Sequence, residues 1–330
     1  MTMRFRAPLA IISVMICLFV CRSVLLADEI KLSNQFPPSH HISKALEFFA
    51  EKVQEYSDGA ITVQVFHSAQ LFKDTEVVEA LQENLVPLAL VPVNKWSGMI
   101  PATDIFEMPF VFKKLESIKV FIDAGAGDLL NNEFKKKGAN TLFWADYGFV
   151  QFFNSKRPLL TPANFKGLKI RTFSNGTAET VSALGGTPVV MSSSEMYMAL
   201  QRGTVDGATT GMPAAVSRNI FEVQKYLTVC NYTTAQFVVQ CNLEWWDKLS
   251  GKKKKVLQKA GDAAAEWLRG RITQSEADAQ KTIADAGLEI VELDDEQRSV
   301  FIQATKPVRE VFAQKSPLCS KLIDITKKMK

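Results

Sequence analysis

Short apolar runs alternate with amphipathic stretches over most of this chain. Residues 29–33 and 61–66 read as strands, and 61–66 switches between apolar and polar side chains in the manner of a half-covered sheet edge. Between them, Ala45, Leu46, Phe49 and Val53 recur at helical spacing, which predicts a helix over 43–56 with one apolar face. A helix at 76–83 follows, then a continuously apolar strand at 85–91, helices around 115–124 and 128–137, and a strand at 141–146. A second set has strands at 168–172 and 188–191, helices at 177–184 and 213–223, and a turn at 205–207 into a further strand. Ser192-Ser193-Ser194-Glu195 has the form of a capping box, in which Ser192 and Glu195 would cap each other's amides and open the next helix. Alternation of this kind predicts an α/β fold with a largely parallel sheet.

Residues 250–286 carry no proline, and their weak points are Gly251, Gly261 and Gly270. A continuous helix of that length would run about 50 Å. That exceeds one domain of a chain this size, so the helix is expected to lie across two; a break at Gly261 or Gly270 is the alternative. Two smaller helices, 295–312 and 317–328, close the chain.

The first 27 residues differ from the rest. Arg4 and Arg6 precede an almost wholly apolar stretch at 8–20, and Leu25-Leu26-Ala27 offers a small-residue cleavage site before Asp28. This is the layout of a secretory signal peptide. Arg22 cuts the apolar run short for a membrane anchor. Without residues 1–27, Lys+Arg falls from 39 to 36 against 35 Asp+Glu, leaving a net charge of +1. No basic field remains to argue for nucleic acid. The remainder is long enough for two domains, and no second apolar run is long enough to span a bilayer.

Three cysteines follow the signal: Cys230, Cys241 and Cys319. The odd number rules out full pairing. Cys230 and Cys241 are either buried thiols or a bridge across two strands. His40 and His41 are neighbours, which do not converge on one metal ion, and no cofactor is expected. The chain has no G-x-S-x-G, no metal-spaced His/Cys cluster and no phosphate-binding glycine loop. An enzyme is therefore not expected; a secreted hydrolase is the alternative.

One position carries distinct chemistry. Gly167-Leu168-Lys169-Ile170-Arg171 reads as a short buried strand that ends on an arginine, whose planar donors grip a carboxylate or sulfonate in pairs. Gln35 to His40 begins a helix after the first strand, so Phe36 and His40 stand where ligands bind helix N-termini. Asn94 and Trp96 follow the strand at 85–91, at the carboxyl end where α/β clefts form. Tyr147, Phe149 and Phe237 are candidate apolar walls. Lys156-Arg157-Pro158 reads as a solvated turn, so Arg157 is assigned to structure.

Several segments together resemble the substrate-binding proteins of tripartite ATP-independent periplasmic (TRAP) transporters, the dicarboxylate-receptor-like group. They are Ser97-Gly98-Met99-Ile100-Pro101 with Phe106-Glu107-Met108-Pro109-Phe110-Val111-Phe112, then Asn154-Ser155-Lys156-Arg157-Pro158, 167–171, 194–207 and 221–227. The resemblance implies a two-lobed periplasmic binding protein fold with lobes near 28–150 and 151–240, part of 240–330 returning to the first. It implies a ligand cleft between the lobes and a long helix at 250–286 spanning both. The implied partners are a small organic anion and the integral-membrane subunits of an ion-driven transporter. The receptor is expected in the periplasm as a monomer. In this pattern Arg171 is the anion-binding arginine. Relatives often add an arginine where this chain has Val150, and an asparagine where it has Ala208-Thr209-Thr210. Arg171 is therefore expected to be the pocket's sole arginine, with Gln151 and Thr210 giving neutral hydrogen bonds. The expected ligand is a monocarboxylate, a hydroxy or keto acid, or a sulfonate. A dicarboxylate would need His40 or Lys95 as a second cation. Delivery to a sensor kinase in place of a transporter is the remaining alternative.

Overall fold

A computed structural model describes residues 27–328. The expected signal peptide lies, apart from its last residue, outside the described residues. Nine strands form one sheet: β1 Asp28–Ser33, β2 Ile61–Phe66, β3 Leu88–Pro92, β4 Ala139–Asn154, β5 Lys169–Thr172, β6 Thr187–Val190, β7 Gly207–Gly211, β8 Tyr226–Asn242 and β9 Glu289–Glu292. Their order is β2-β1-β3-β8-β4-β7-β5-β6, with β9 paired to β8.

Two long strands make this sheet into two lobes. In lobe 1, β3 pairs with Phe237–Cys241 of β8, and Ala139–Asp146 of β4 lies on the other side of β8. In lobe 2, β7 pairs with Val150–Asn154 of β4, whose other neighbour is the first half of β8. The outer pairs β1–β2, β1–β3, β5–β6 and β5–β7 are parallel, as the βα alternation predicts, whereas the crossing strands run antiparallel to each other and to β3 and β7, and β9 joins β8 in parallel. The β4–β8 register shifts between Asp146 and Phe149, at the changeover, where Gly148 adopts φ +111°. The strand expected at 141–146 is thus the first half of a sixteen-residue strand.

Lobe 1 buries both sheet faces. Helices His41–Tyr56 and Gly251–Arg269 set Ile42, Phe49, Leu257 and Ala264 against Leu32, Leu90 and Phe143. The opposite face is covered by Leu81, Trp96, Phe106 and Phe134, and by Val308, Phe312 and Leu322 from the chain's last two helices, Lys306–Gln314 and Pro317–Lys328. In lobe 2, Met196, Leu200, Ile220 and Ile283 pack on Phe153, Ala208 and Leu227.

The expected long helix is two helices, Gly251–Arg269 and Ile272–Asp285. They part at Gly270-Arg271, where Arg271 widens to φ −117°. The first contacts helix His41–Tyr56 of lobe 1, and the second contacts helix Met212–Ser217 of lobe 2. The pair crosses the lobes with a bend where one rod was expected. Residues 295–312 divide likewise at Thr305, ahead of Pro307, whose ring does not fit a helix interior. All three described cysteines are buried free thiols; Cys230 and Cys241 share strand β8 and are not bridged.

Candidate functional site

Arg171 sits on β5, between β6 and β7, one residue before the carboxyl end of its own strand. It is 1% exposed. Its Nε and Nη2 donate to the Met191 carbonyl at 3.3 and 3.0 Å, Nη1 to the Thr209 carbonyl at 3.2 Å, and Nη2 to Ser193 Oγ at 3.1 Å. Neutral acceptors thus fix the guanidinium without cancelling its charge. Burial pushes its pKa down to about 10, which leaves it charged at neutral pH.

Lobe 1 answers with Asp74, Asn94 and Lys95. The Lys95 ammonium lies 3.2 Å from the Asp74 carboxylate and donates across the cleft to the Phe173 carbonyl at 3.1 Å. Asp74 also accepts from Ser192 Oγ and, at 3.3 Å, from the Ser193 amide of lobe 2. Burial raises the Asp74 pKa, but Lys95 and the Ser192 hydrogen bond outweigh burial and hold it below the usual value. The serines expected to form a capping box therefore do other work: Ser192 binds Asp74, Ser193 binds Arg171, and the helix starts at Met196 without a side-chain cap.

A second arginine enters from lobe 2. Helix Met212–Ser217 ends at Arg218, whose Nη2 donates to the Gln35 carbonyl at 3.1 Å and whose guanidinium lies 4.8 Å from the Phe36 ring centre. No carboxylate stands within ion-pair distance of it among the described residues. Burial lowers its pKa. Phe36, Tyr147 and Phe237 pack together as one apolar wall, with ring centres 5.1 to 5.9 Å apart. The Tyr147 hydroxyl contacts Thr210 Oγ1 at 3.1 Å and accepts from the Gly211 amide at 2.9 Å.

These groups enclose a cavity between the lobes, lined by Arg171, Arg218, Lys95, Asp74, Asn94 and Thr210 with the aromatic wall. About 20 Å³ is open to the centre of a water molecule, so the lobes are nearly shut. One wall leads to a buried acid pair. Glu107 accepts from Asn94 Nδ2 and from Ser174 Oγ. Burial, with Asp104 beside it, pushes the Glu107 pKa up to about 8.

Of the expected site residues, Arg171, Phe36, Asn94, Tyr147, Thr210 and Phe237 meet at this cavity. Gln151 does not; its Oε1 accepts from the Cys230 and Asn231 amides at 2.9 Å each and fills a bulge in the β4–β8 ladder. Trp96 is core, its Nε1 bonded to Gln240 at 3.0 Å. Phe149 pairs opposite Thr234 and does not line the cavity. His40 lies behind Phe36, stacked at 3.9 Å, and caps the following helix through Nδ1. Burial drives its pKa far down, so it supplies no cation. The expectation of a sole arginine fails, because Arg218 restores a second charge from a different element. Arg218 and Asp74 carried no motif signal, Ser193 stood only inside the expected capping box, and Lys95 was foreseen as a substitute second cation beside Asn94.

The residues from 32 to 315 match the family described as bacterial extracellular solute-binding protein, family 7 (DctP). The chain belongs to this family. The C4-dicarboxylate-binding periplasmic protein DctP of Rhodobacter capsulatus is 32% identical over 289 residues, covering 87% of this chain and 86% of that protein. A TRAP periplasmic solute-binding protein of Sulfurospirillum deleyianum, solved with bound succinate, superposes with a TM-score of 0.88 at 28% identity, over 92% of this chain and all of the other. One from Chromohalobacter salexigens, with bound D-glucuronate, gives 0.86 at 26% over 91% and 100%. DctP proteins are solute-binding receptors and not enzymes, and the match spans both lobes and the cavity between them. Among the described residues of this DctP protein, no helix is long and apolar enough to cross a membrane.

Proposed function

We propose that this protein is a periplasmic receptor that closes on a short organic acid with two anionic ends and delivers it to the membrane subunits of a TRAP transporter. The carrying observation is the charge around the cavity: Arg171, Arg218 and Lys95 face a single carboxylate, Asp74. A buried charge without a partner is costly, and a ligand dianion offsets the two that remain. Arg171, held by neutral acceptors, offers its fork to one acid group. Arg218, with one hydrogen bond to the protein, has donors for the other. This replaces the monoanion expectation, which rested on the missing arginine at Val150. Succinate, bound to the Sulfurospirillum relative, is a short acid with two anionic ends. Closure excludes water and strengthens each ion pair.

Thermal unfolding with mono- and dicarboxylates, sulfonates and sugar acids tests this. A ligand at 100 times its Kd stabilises the fold by about 2.7 kcal/mol. The expected hit is a C4 or C5 diacid, abolished in Arg171→Ala. Stronger stabilisation by a monoacid or a hexuronate would overturn the diacid reading.

A further inference from the structure

Glu107 is a buried carboxyl that joins the two lobes. It ends the turn Pro101–Glu107 in lobe 1 and is 1% exposed. One oxygen receives Asn94 Nδ2 from the cavity wall, and the other receives Ser174 Oγ from lobe 2. The fit is close: a Cβ added at Gly176, in the first turn of helix Asn175–Ala183, would stand 3.1 Å from Glu107 Oε2. Ser174 and Gly176 belong to lobe 2, so that side of the enclosure is supplied from across the cleft.

The charged and titratable groups around it do not favour an anion. Asp104 lies on the same turn, Tyr232 faces it from β8, and Lys95 reaches it from the segment after β3. Behind Asp104 stand Glu179 of lobe 2 and Lys315, which pair with each other at 3.3 Å. The Lys95 ammonium is already engaged by Asp74 and the Phe173 carbonyl. A carboxylate here would be desolvated next to a second acid, with a ligand anion on the far side of Asn94. Both effects favour the neutral form.

We infer that Glu107 takes up a proton as the lobes close, so that the receptor captures its acid together with one proton from solvent. The inference rests on the reading of the cavity as an organic-acid site. The balance is simple: one solvent proton joins one carboxylate on closing and returns on opening. The acid form also sets Asn94. Asn94 Oδ1 has no partner. Exchanging the oxygen and nitrogen of that amide, which have nearly the same shape, lets the Glu107 hydroxyl donate to Oδ1 and turns the amide N–H groups toward the cavity. Glu107 is then a positioning residue that converts Asn94 into a donor for an anionic ligand.

Two measurements on the full mature chain decide it. Calorimetric titration with succinate near neutral pH, in buffers of different ionisation enthalpy, is expected to show uptake of about one proton per ligand. Affinity should fall roughly tenfold per pH unit up to about pH 8. Glu107→Gln, which mimics the neutral acid, should match the wild type only at low pH, bind more tightly than it at neutral pH, and lose both the uptake and the pH slope. A wild type without buffer-dependent heat, or a Glu107→Gln variant that keeps the slope, overturns the inference; a merely structural Glu107 would alter affinity and leave the slope. The second measurement holds the lobes shut with saturating succinate, or with the acid that stabilises most in the thermal screen if succinate gives no heat. Between pH 4.5 and about 8, the wild-type folding constant should fall relative to Glu107→Gln, then level off. Ser174→Ala, which removes a hydrogen bond favouring the anion, should extend that fall to higher pH. Parallel stability curves overturn the inference. Absence of any heat with succinate sinks only the diacid reading of the cavity.

Discussion

Arg171 and Arg218 reach one cavity by different routes, and their surroundings divide the labour. Arg171 is held by neutral acceptors alone and is part of the wall before any ligand arrives. Arg218 has a single hydrogen bond and an aromatic face beneath it, so truncating it removes charge without breaking a network. Arg218→Ala is expected to weaken diacid binding by about 2 kcal/mol or more, roughly thirtyfold, and to leave monoacid binding within a few-fold; calorimetry with succinate and butyrate reads the contrast. The two residues also differ in how far the sequence reveals them. Arg171 ends a recognisable strand, so its position follows from local pattern. The place of Arg218 depends on where a helix stops and on Gln35, which is 183 positions away. Gln151 shows the reverse error. Its place beside Val150, where relatives often carry an arginine, suggested a ligand contact, but a register shift beside it made two backbone amides its partners.

At the level of elements, the changeover in β4 is the most constrained point. Gly148 combines φ +111° with contact to Glu276 on helix Ile272–Asp285, where an added Cβ would stand 1.9 Å from Glu276 Oε1. The carboxyl can move aside, but the backbone angle cannot be relieved by a side chain. Gly148→Ala is therefore expected to cost about 1–3 kcal/mol. In urea unfolding, adding Glu276→Ala should recover the collision and leave the backbone strain. Helix-length and strand patterns placed most outer βα units because each is short and local, but the helix expected at 213–223 is Met212–Ser217 followed by a separate turn, Ile220–Val223. The crossing strands were less legible. β4 and β8 are covered throughout, so they lack the period-two alternation that marks a half-exposed strand. The break at Gly270-Arg271 was one of two places allowed by propensity, and packing on two lobes chose it.

For the whole molecule, closure is a set of polar contacts from lobe to lobe: Asp74 with Ser192 and Ser193, Lys95 with Phe173, Glu107 with Ser174, and Arg218 with Gln35. Asp74 is the most connected of these, and it also neutralises Lys95. Asp74→Ala should leave three uncompensated cations around the cavity and bias the lobes apart. Small-angle scattering should then give a larger radius of gyration than wild type without acid, and an approach to the wild-type value once a diacid saturates the variant. Wild-type dimensions in both conditions would show that Asp74 does not hold the lobes. The return of the last two helices to lobe 1 has a consequence of another kind. Val308, Phe312 and Leu322 complete a core begun by Leu81 and Trp96, so the first domain to be synthesised cannot finish folding until the final residues are available. Such a chain remains pliable until it is complete, the state that passage through a narrow translocation channel requires.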